Sequence, residues 1–293
     1  MSISEEKKPK AGLWALLAKF GSKLGSVFIK LLKALKVAKI GLAAASFAGY
    51  AAIYSWKFAL LLMISVGFHE SGHVWAMKKM GIKTKGFYFL PFVGGAAIAE
   101  GSYKTYGENA FIAIMGPVWG CGLAWLSACV YWMTGIPLFA AAAGWMAMIN
   151  LFNLLPVSPL DGGQLVRSIA FSIHQWVGLM FLVVSMALGV VIMWKFHIGL
   201  FALLLIVGGL EMVFEFRTRI KLWKVQQGTM DKHFLPSSVM DANGNILPFP
   251  DAMNAKQIAL TAVSFVATIA ALVALLLMMK HLPGADIAAN FLE

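Results

Sequence analysis

Residues 58–73 read Phe58-Ala59-Leu60-Leu61-Leu62-Met63-Ile64-Ser65-Val66-Gly67-Phe68-His69-Glu70-Ser71-Gly72-His73. Phe58–Gly67 is too apolar to have water as its solvent, and the segment continues to about residue 80, long enough to cross a ~30 Å hydrocarbon core as a helix. Its second half carries two imidazoles and a carboxylate, although an acidic charge at mid-bilayer costs ~2.5–3.5 kcal/mol on insertion scales. On a helix His69 and His73 are four residues apart and share one face. Both rings can therefore reach a single ion at ~2.0–2.1 Å, and Glu70 flanks the same face as a base for water. A shuffled chain of this composition would show HExxH about 0.3% of the time, so accident is disfavoured.

The rest of the chain has the same solvent. Of its 293 residues 60% are apolar and 13% charged, and the mean hydropathy is +0.79. A soluble globular domain carries about 45–50% apolar and about 25% charged residues. A disordered chain and an ordinary cytosolic enzyme are both excluded, and an all-α polytopic membrane protein is expected. Candidate spans fall at about 38–56, 57–80, 107–133, 137–155, 174–195, 197–216 and 257–280, which amounts to six to seven transmembrane helices. Gly86–Gly101 is apolar but broken by Pro91 and Gly94–Gly95. It reads as a short membrane-associated β-hairpin or re-entrant loop.

From Leu13 to Ile40, Leu13, Leu17, Phe20, Leu24, Val27, Leu31 and Leu35 alternate with Lys19, Lys23, Lys30 and Lys33 at helical spacing. Such a stripe makes a basic amphipathic helix that lies on a membrane surface or docks on the protein's own loops. The net charge is +11. If the N-terminus is cytosolic, all of the 24 Lys and Arg except Lys57, Lys195 and Lys280 fall on cytosolic segments. This positive-inside pattern accounts for the basic balance without nucleic acid. The expected organisation is a basic N-terminal region (1–40), a transmembrane catalytic core (41–216), a small cytosolic loop with turns (217–256), and a C-terminal transmembrane helix and tail (257–293). Within the loop, Asp241–Asn243–Asn245 reads as a turn, since a calcium loop needs a closing acid. Cys121 and Cys129, eight residues apart in one apolar stretch, read as packing residues, and no cleavable signal peptide is expected.

HExxH leaves a third ligand to be found, because a catalytic zinc takes three protein ligands and keeps one position open. Asp161 is the first Asp of the chain. It lies in Asn153-Leu154-Leu155-Pro156-Val157-Ser158-Pro159-Leu160-Asp161-Gly162-Gly163, where the prolines and paired glycines interrupt helix and let a carboxylate be aimed inward. The alternative is that Asp161 caps the next helix.

Together, His69-Glu70-Ser71-Gly72-His73 in a span and the Asn153 to Gly163 run about ninety residues later resemble the site-2 protease family of intramembrane zinc metalloproteases. Pro91-Phe92-Val93-Gly94-Gly95 and Gly116-Pro117-Val118-Trp119-Gly120 are also similar to that family's segments, and the likeness covers roughly residues 57–167. It is a likeness to compact members without a PDZ insertion or a nucleotide-sensing CBS domain. The resemblance implies one Zn2+ per chain held by His69, His73 and Asp161, with Glu70 as catalytic base and Asn153 contacting substrate or the developing oxyanion. It implies a membrane-anchored protein substrate, cleaved in or near its transmembrane segment, and a bacterial inner membrane as host. An extended substrate strand is expected to pair with the Phe87–Ala97 edge.

Other polar residues read as structural. His174, His197 and His281 stand singly near span ends, and His233 lies in the loop. Glu211 and Glu215 share a helical face near Arg217 and Arg219 and read as an ion-pair cluster. Asn150, one turn before Asn153, either lines the same cleft or bonds a neighbouring helix. Two further functions keep the same residues, a zinc-containing membrane chaperone or adaptor without turnover and a metal transporter. Glu70 beside the histidines argues against both.

Overall fold

The structure, a computed structural model, describes residues 39–91, 94–196, 200–229, 231 and 249–280. Almost all of the basic amphipathic stretch, His197, His233, His281 and the Asp241–Asn245 run lie outside the described residues. The chain is mostly helical. Helices α1 (Lys39–Ile53) and α2 (Trp56–Lys79) precede an antiparallel hairpin of β1 (Thr84–Leu90) and β2 (Gly94–Ala99). Six more helices follow: α3 (Tyr106–Thr134), α4 (Pro137–Asn153), α5 (Asp161–Ile173), α6 (Gln175–Phe196), α7 (Leu200–Gln226) and α8 (Ala255–Lys280).

Local chemistry sets these boundaries. Ser55 caps α2 by accepting from the Phe58 N–H at 3.2 Å, and Thr105 caps α3 by accepting from Glu108 N–H at 3.0 Å. Helix α3 ends on Gly135, whose φ of 68° is the left-handed C-terminal conformation, and Pro137 starts α4 two residues later. Asn254 and Gln257 exchange side-chain to backbone hydrogen bonds of 2.9 Å, a reciprocal cap that begins α8.

Among the described residues, α3, α6 and α8 are long and apolar enough to cross a membrane. Helix α2 is long enough, but the His and Glu of its motif dilute its apolar character, and α4 is a shorter apolar helix. Two differences from the sequence reading concern extent. Helix α7 continues past residue 216 through Arg217, Arg219, Lys221 and Lys224, since Arg and Lys are good helix formers and buried Thr218, Arg219 and Leu222 pack this extension against the rest of the fold. Helix α5 falls in none of the expected spans, because 13 residues containing Gln164 and Arg167 give no span-like signal.

With lipid around it, such a bundle is held by close packing rather than by expulsion of apolar groups from water. Helix α3 presents Gly116, Gly120, Ala124 and Ala128 at four-residue intervals, all buried. Ala143 and Ala147 of α4 are completely buried in the same core, with Leu272 and Leu275 of α8 filling the remaining volume. Trp56, Trp132, Trp176 and Trp194 lie exposed at or near helix ends, where indoles anchor at a membrane interface. Cys121 packs partly against the core, and Cys129 is exposed; both are free thiols.

Candidate metal centre

Helix α2 brings its two histidines to one buried point. His69 Nε2 and His73 Nε2 are 3.1 Å apart, and Asp161 Oδ2 at the start of α5 lies 3.0 Å from the first and 3.3 Å from the second. A tetrahedral zinc with bonds near 2.1 Å holds its donors on edges of about 3.4 Å, so the three atoms have the spacing of a coordination face. Their chemistry also fits, two imidazole nitrogens and one carboxylate oxygen. Room is kept for the ion by Gly116 of α3, where a Cβ would run into the Nε2 atoms of both histidines.

Each imidazole is oriented from its far side. His73 Nδ1–H donates to the Ile112 carbonyl at 2.7 Å, and His69 Nδ1–H donates to Asn150 Oδ1 at 2.8 Å. Asn150 is fully buried, and its amide N–H donates in turn to the Met146 carbonyl at 2.7 Å. A proton held on Nδ1 leaves the Nε2 lone pair facing the ion position. Gly120 makes this possible, since a Cβ there would overlap the Asn150 amide. Of the two possibilities for Asn150, helix-to-helix bonding is realised, and the partner is a histidine of the site. Its sequence signal was only that a second Asn stands one turn before Asn153.

Glu70 is buried beside the pair and accepts a hydrogen bond from the Ala97 N–H of β2. The hairpin lies this close because Gly95 has no side chain; a Cβ would come within 2.5 Å of Glu70 Cγ. Its other contact with α2 is aromatic. The Phe87 and Phe89 rings, 5.5 Å apart edge to face, sit over Gly67. The hairpin anticipated over Gly86–Gly101 is therefore a lid of backbone on the Glu70 side of the site. Asn153 ends α4, one turn beyond Asn150, and is half-buried; its side chain makes no hydrogen bond among the described residues.

Asp161 reaches the histidines because the loop after α4 folds back tightly. Leu160, not Asp161, is the N-cap of α5, so the carboxylate is not spent on capping. Gly162 and Gly163 do not interrupt the helix; they form its first turn. A Cβ on Gly162 would strike the Leu154 carbonyl and one on Gly163 the Val157 backbone, so the pair lets the loop lie directly on α5. His174 caps the far end of α5, exposed and remote from this group. Glu215 pairs with Arg219 at 2.6 Å as anticipated, whereas Glu211 pairs with Arg167 of α5, which local spacing along α7 could not reveal.

Residues 57–144 match Peptidase family M50, a stretch that contains the His69–His73 motif and ends before Asp161. The chain is 32% identical over 138 residues to Rip3 of Mycobacterium tuberculosis, named as a zinc metalloprotease, covering 43% of this chain and 35% of that protein. It is 35% identical over 115 residues to the zinc metalloprotease MJ0392 of Methanocaldococcus jannaschii, covering 38% and 33%. The chain thus spans about a third of the length of these curated relatives. A site-2 protease structure from Methanocaldococcus jannaschii aligns with a TM-score of 0.42 at 23% identity, covering 65% of this chain and 87% of that one.

Proposed function

We propose that this chain, whose residues 57–144 match Peptidase family M50, is an intramembrane zinc endopeptidase that hydrolyses peptide bonds in or near transmembrane segments of membrane-anchored proteins. The observation that carries the reading is the convergence of His69, His73 and Asp161 donor atoms within 4.8 Å of one another, beside a buried Glu70. These three residues would hold zinc, which when bound supplies a Lewis acid for the scissile carbonyl and brings a water toward a pKa of ~7. Glu70 accepts the proton of the attacking water and returns it to the leaving amine. Asn153, at the end of α4 and free of intramolecular partners among the described residues, donates to the developing oxyanion. Asn150 and the Ile112 carbonyl keep the two imidazoles in the ligand tautomer.

A substrate helix must unwind before its peptide bond can be attacked, and the released backbone groups need partners at membrane depth. A substrate strand added beside the β1–β2 hairpin supplies them, next to Glu70. We read the bundle as multi-pass with six to seven spans in a bacterial inner membrane, the N-terminus and the Lys-rich segments being cytosolic. The domain division at residues 40, 216 and 256 belongs to the same reading.

Glu70→Gln separates this function from a chaperone and a transporter. The purified variant is expected to retain about one zinc and to lose cleavage of a model transmembrane substrate; equal cleavage by both forms would overturn the reading. Zinc uptake into liposomes by the intact chain would favour transport instead.

A further inference from the structure

Asp161 is flanked in sequence on both sides by residues that meet on a single carboxylate of another helix. Three residues before it, buried Ser158 donates its hydroxyl to Glu211 Oε2 of α7 at 2.7 Å, and its N–H donates to Ser185 Oγ of α6 at 3.0 Å. Three and six residues after it, Gln164 Nε2 and Arg167 Nη1 donate to Glu211 Oε1. Arg167 is 7% exposed, and its second nitrogen donates to Gln164 Oε1 at 2.7 Å and Tyr103 Oη at 3.4 Å. Helix α7 comes this close because residue 208 is Gly; a Cβ there would overlap the Ser158 carbonyl. The guanidinium is buried and the Glu211 carboxylate half-buried, and such an ion pair is a weak source of stability whose hydrogen bonds nonetheless fix the geometry of the groups they join.

We propose that Glu211, through Ser158 and Arg167, is a positioning residue that fixes the Asp161 carboxylate at the histidine pair. This rests on the metal-site reading above and extends it to α7, a helix that contributes no donor to the site. The loop has backbone bonds of its own, Val157 N–H to the Leu155 carbonyl and Leu160 N–H to the Val157 carbonyl, but Leu160 caps α5 without a side-chain bond. The acid of α7 adds a side-chain constraint on both flanks of residue 161.

The test is zinc affinity by chelator competition on the detergent-solubilised full chain, with thermal melts alongside. Glu211→Gln keeps an acceptor but loses the charge. Ser158→Ala removes one hydroxyl and strands no charge, so it keeps the test informative if the first variant folds poorly. Each is expected to weaken zinc binding about 10-fold, the effect of losing a partner behind a ligand. The double variant should weaken binding by less than the product of the two single losses, because the Ser158 hydroxyl and the Glu211 carboxylate share one of the bonds involved. In the cobalt-loaded chain the ligand-field absorption should change in both. Leu182→Ala, in the separate cluster around Tyr106 and Phe171, should lower the melting temperature with zinc affinity unchanged. Zinc affinity within twofold of wild type in Glu211→Gln and Ser158→Ala overturns the positioning role alone. A wild-type chain that takes up no zinc overturns it together with the reading beneath it.

Discussion

Asn150 and His69 are 81 residues apart, and the bond between them is the contact of the site with the least local trace. Replacing Asn150 with Ala deletes the acceptor that holds the ring and leaves a buried Nδ1–H without a partner. The expected result is a 10- to 100-fold loss of zinc affinity in a chain that still folds, read by chelator competition. What could be read at this scale was what lies close in sequence. His69, Glu70 and His73 form a single helical turn, and Asp161 is marked by prolines and glycines around a rare acid. The Arg167–Glu211 pair was hidden for the same reason as Asn150. Spacing along α7 offers Arg217 and Arg219 as neighbours of the acids, and only the fold brings α5 alongside.

At the scale of elements, the hairpin was legible because Pro91 and Gly94–Gly95 break an apolar run that would otherwise read as a span. Its docking on Glu70 was not, since a missing side chain at Gly95 matters only once β2 lies against α2. The Ala97 N–H bonds Glu70, and within the hairpin Ala97 lies opposite Phe87 and Ala96 opposite Tyr88. Proline at either position removes a backbone donor and disturbs the strand. Ala96→Pro and Ala97→Pro should impair cleavage of a transmembrane substrate while zinc content, measured by elemental analysis, stays at the wild-type value. Unchanged proteolysis would remove strand pairing from the mechanism. The span boundaries agree with the helices to within a few residues wherever a helix is uniformly apolar. They fail at α5 and at the end of α7, where hydropathy and helical structure part company.

Across the whole molecule, zinc would join α2 to α5, which the chain connects through the hairpin, α3, α4 and their loops. Ligand bound to the folded state alone stabilises it by RT ln(1 + [L]/Kd), about 2.7 kcal/mol at a free concentration of 100 times Kd. Stripping zinc with a strong chelator should therefore lower the melting temperature and abolish cleavage, and both should return when zinc is restored. Asp161→Ala should melt at the same temperature with or without zinc. The composition called for apolar helices, of which α3, α6 and α8 are long and apolar enough to cross a membrane, but it could not foretell the four-residue row of small side chains on α3 meeting the alanines of α4. That match depends on helix orientation, which the identity of each residue leaves open.

The described segment from Phe249 to Asn254 that leads into α8 is tied down several times over. Arg219 lies between the Phe171 and Phe249 rings, 3.9 and 4.2 Å from their centres. Asp251 exchanges backbone bonds with Lys104 and Tyr106, each 2.9 Å, and the Met253 N–H donates to Ser172 Oγ at 3.0 Å. Because these contacts reach α3, α5 and α7 at once, no single one of them has to hold the entry to α8, and losing the Phe249 ring should lower the melting temperature only slightly while the Asp251 and Met253 bonds keep α8 in place.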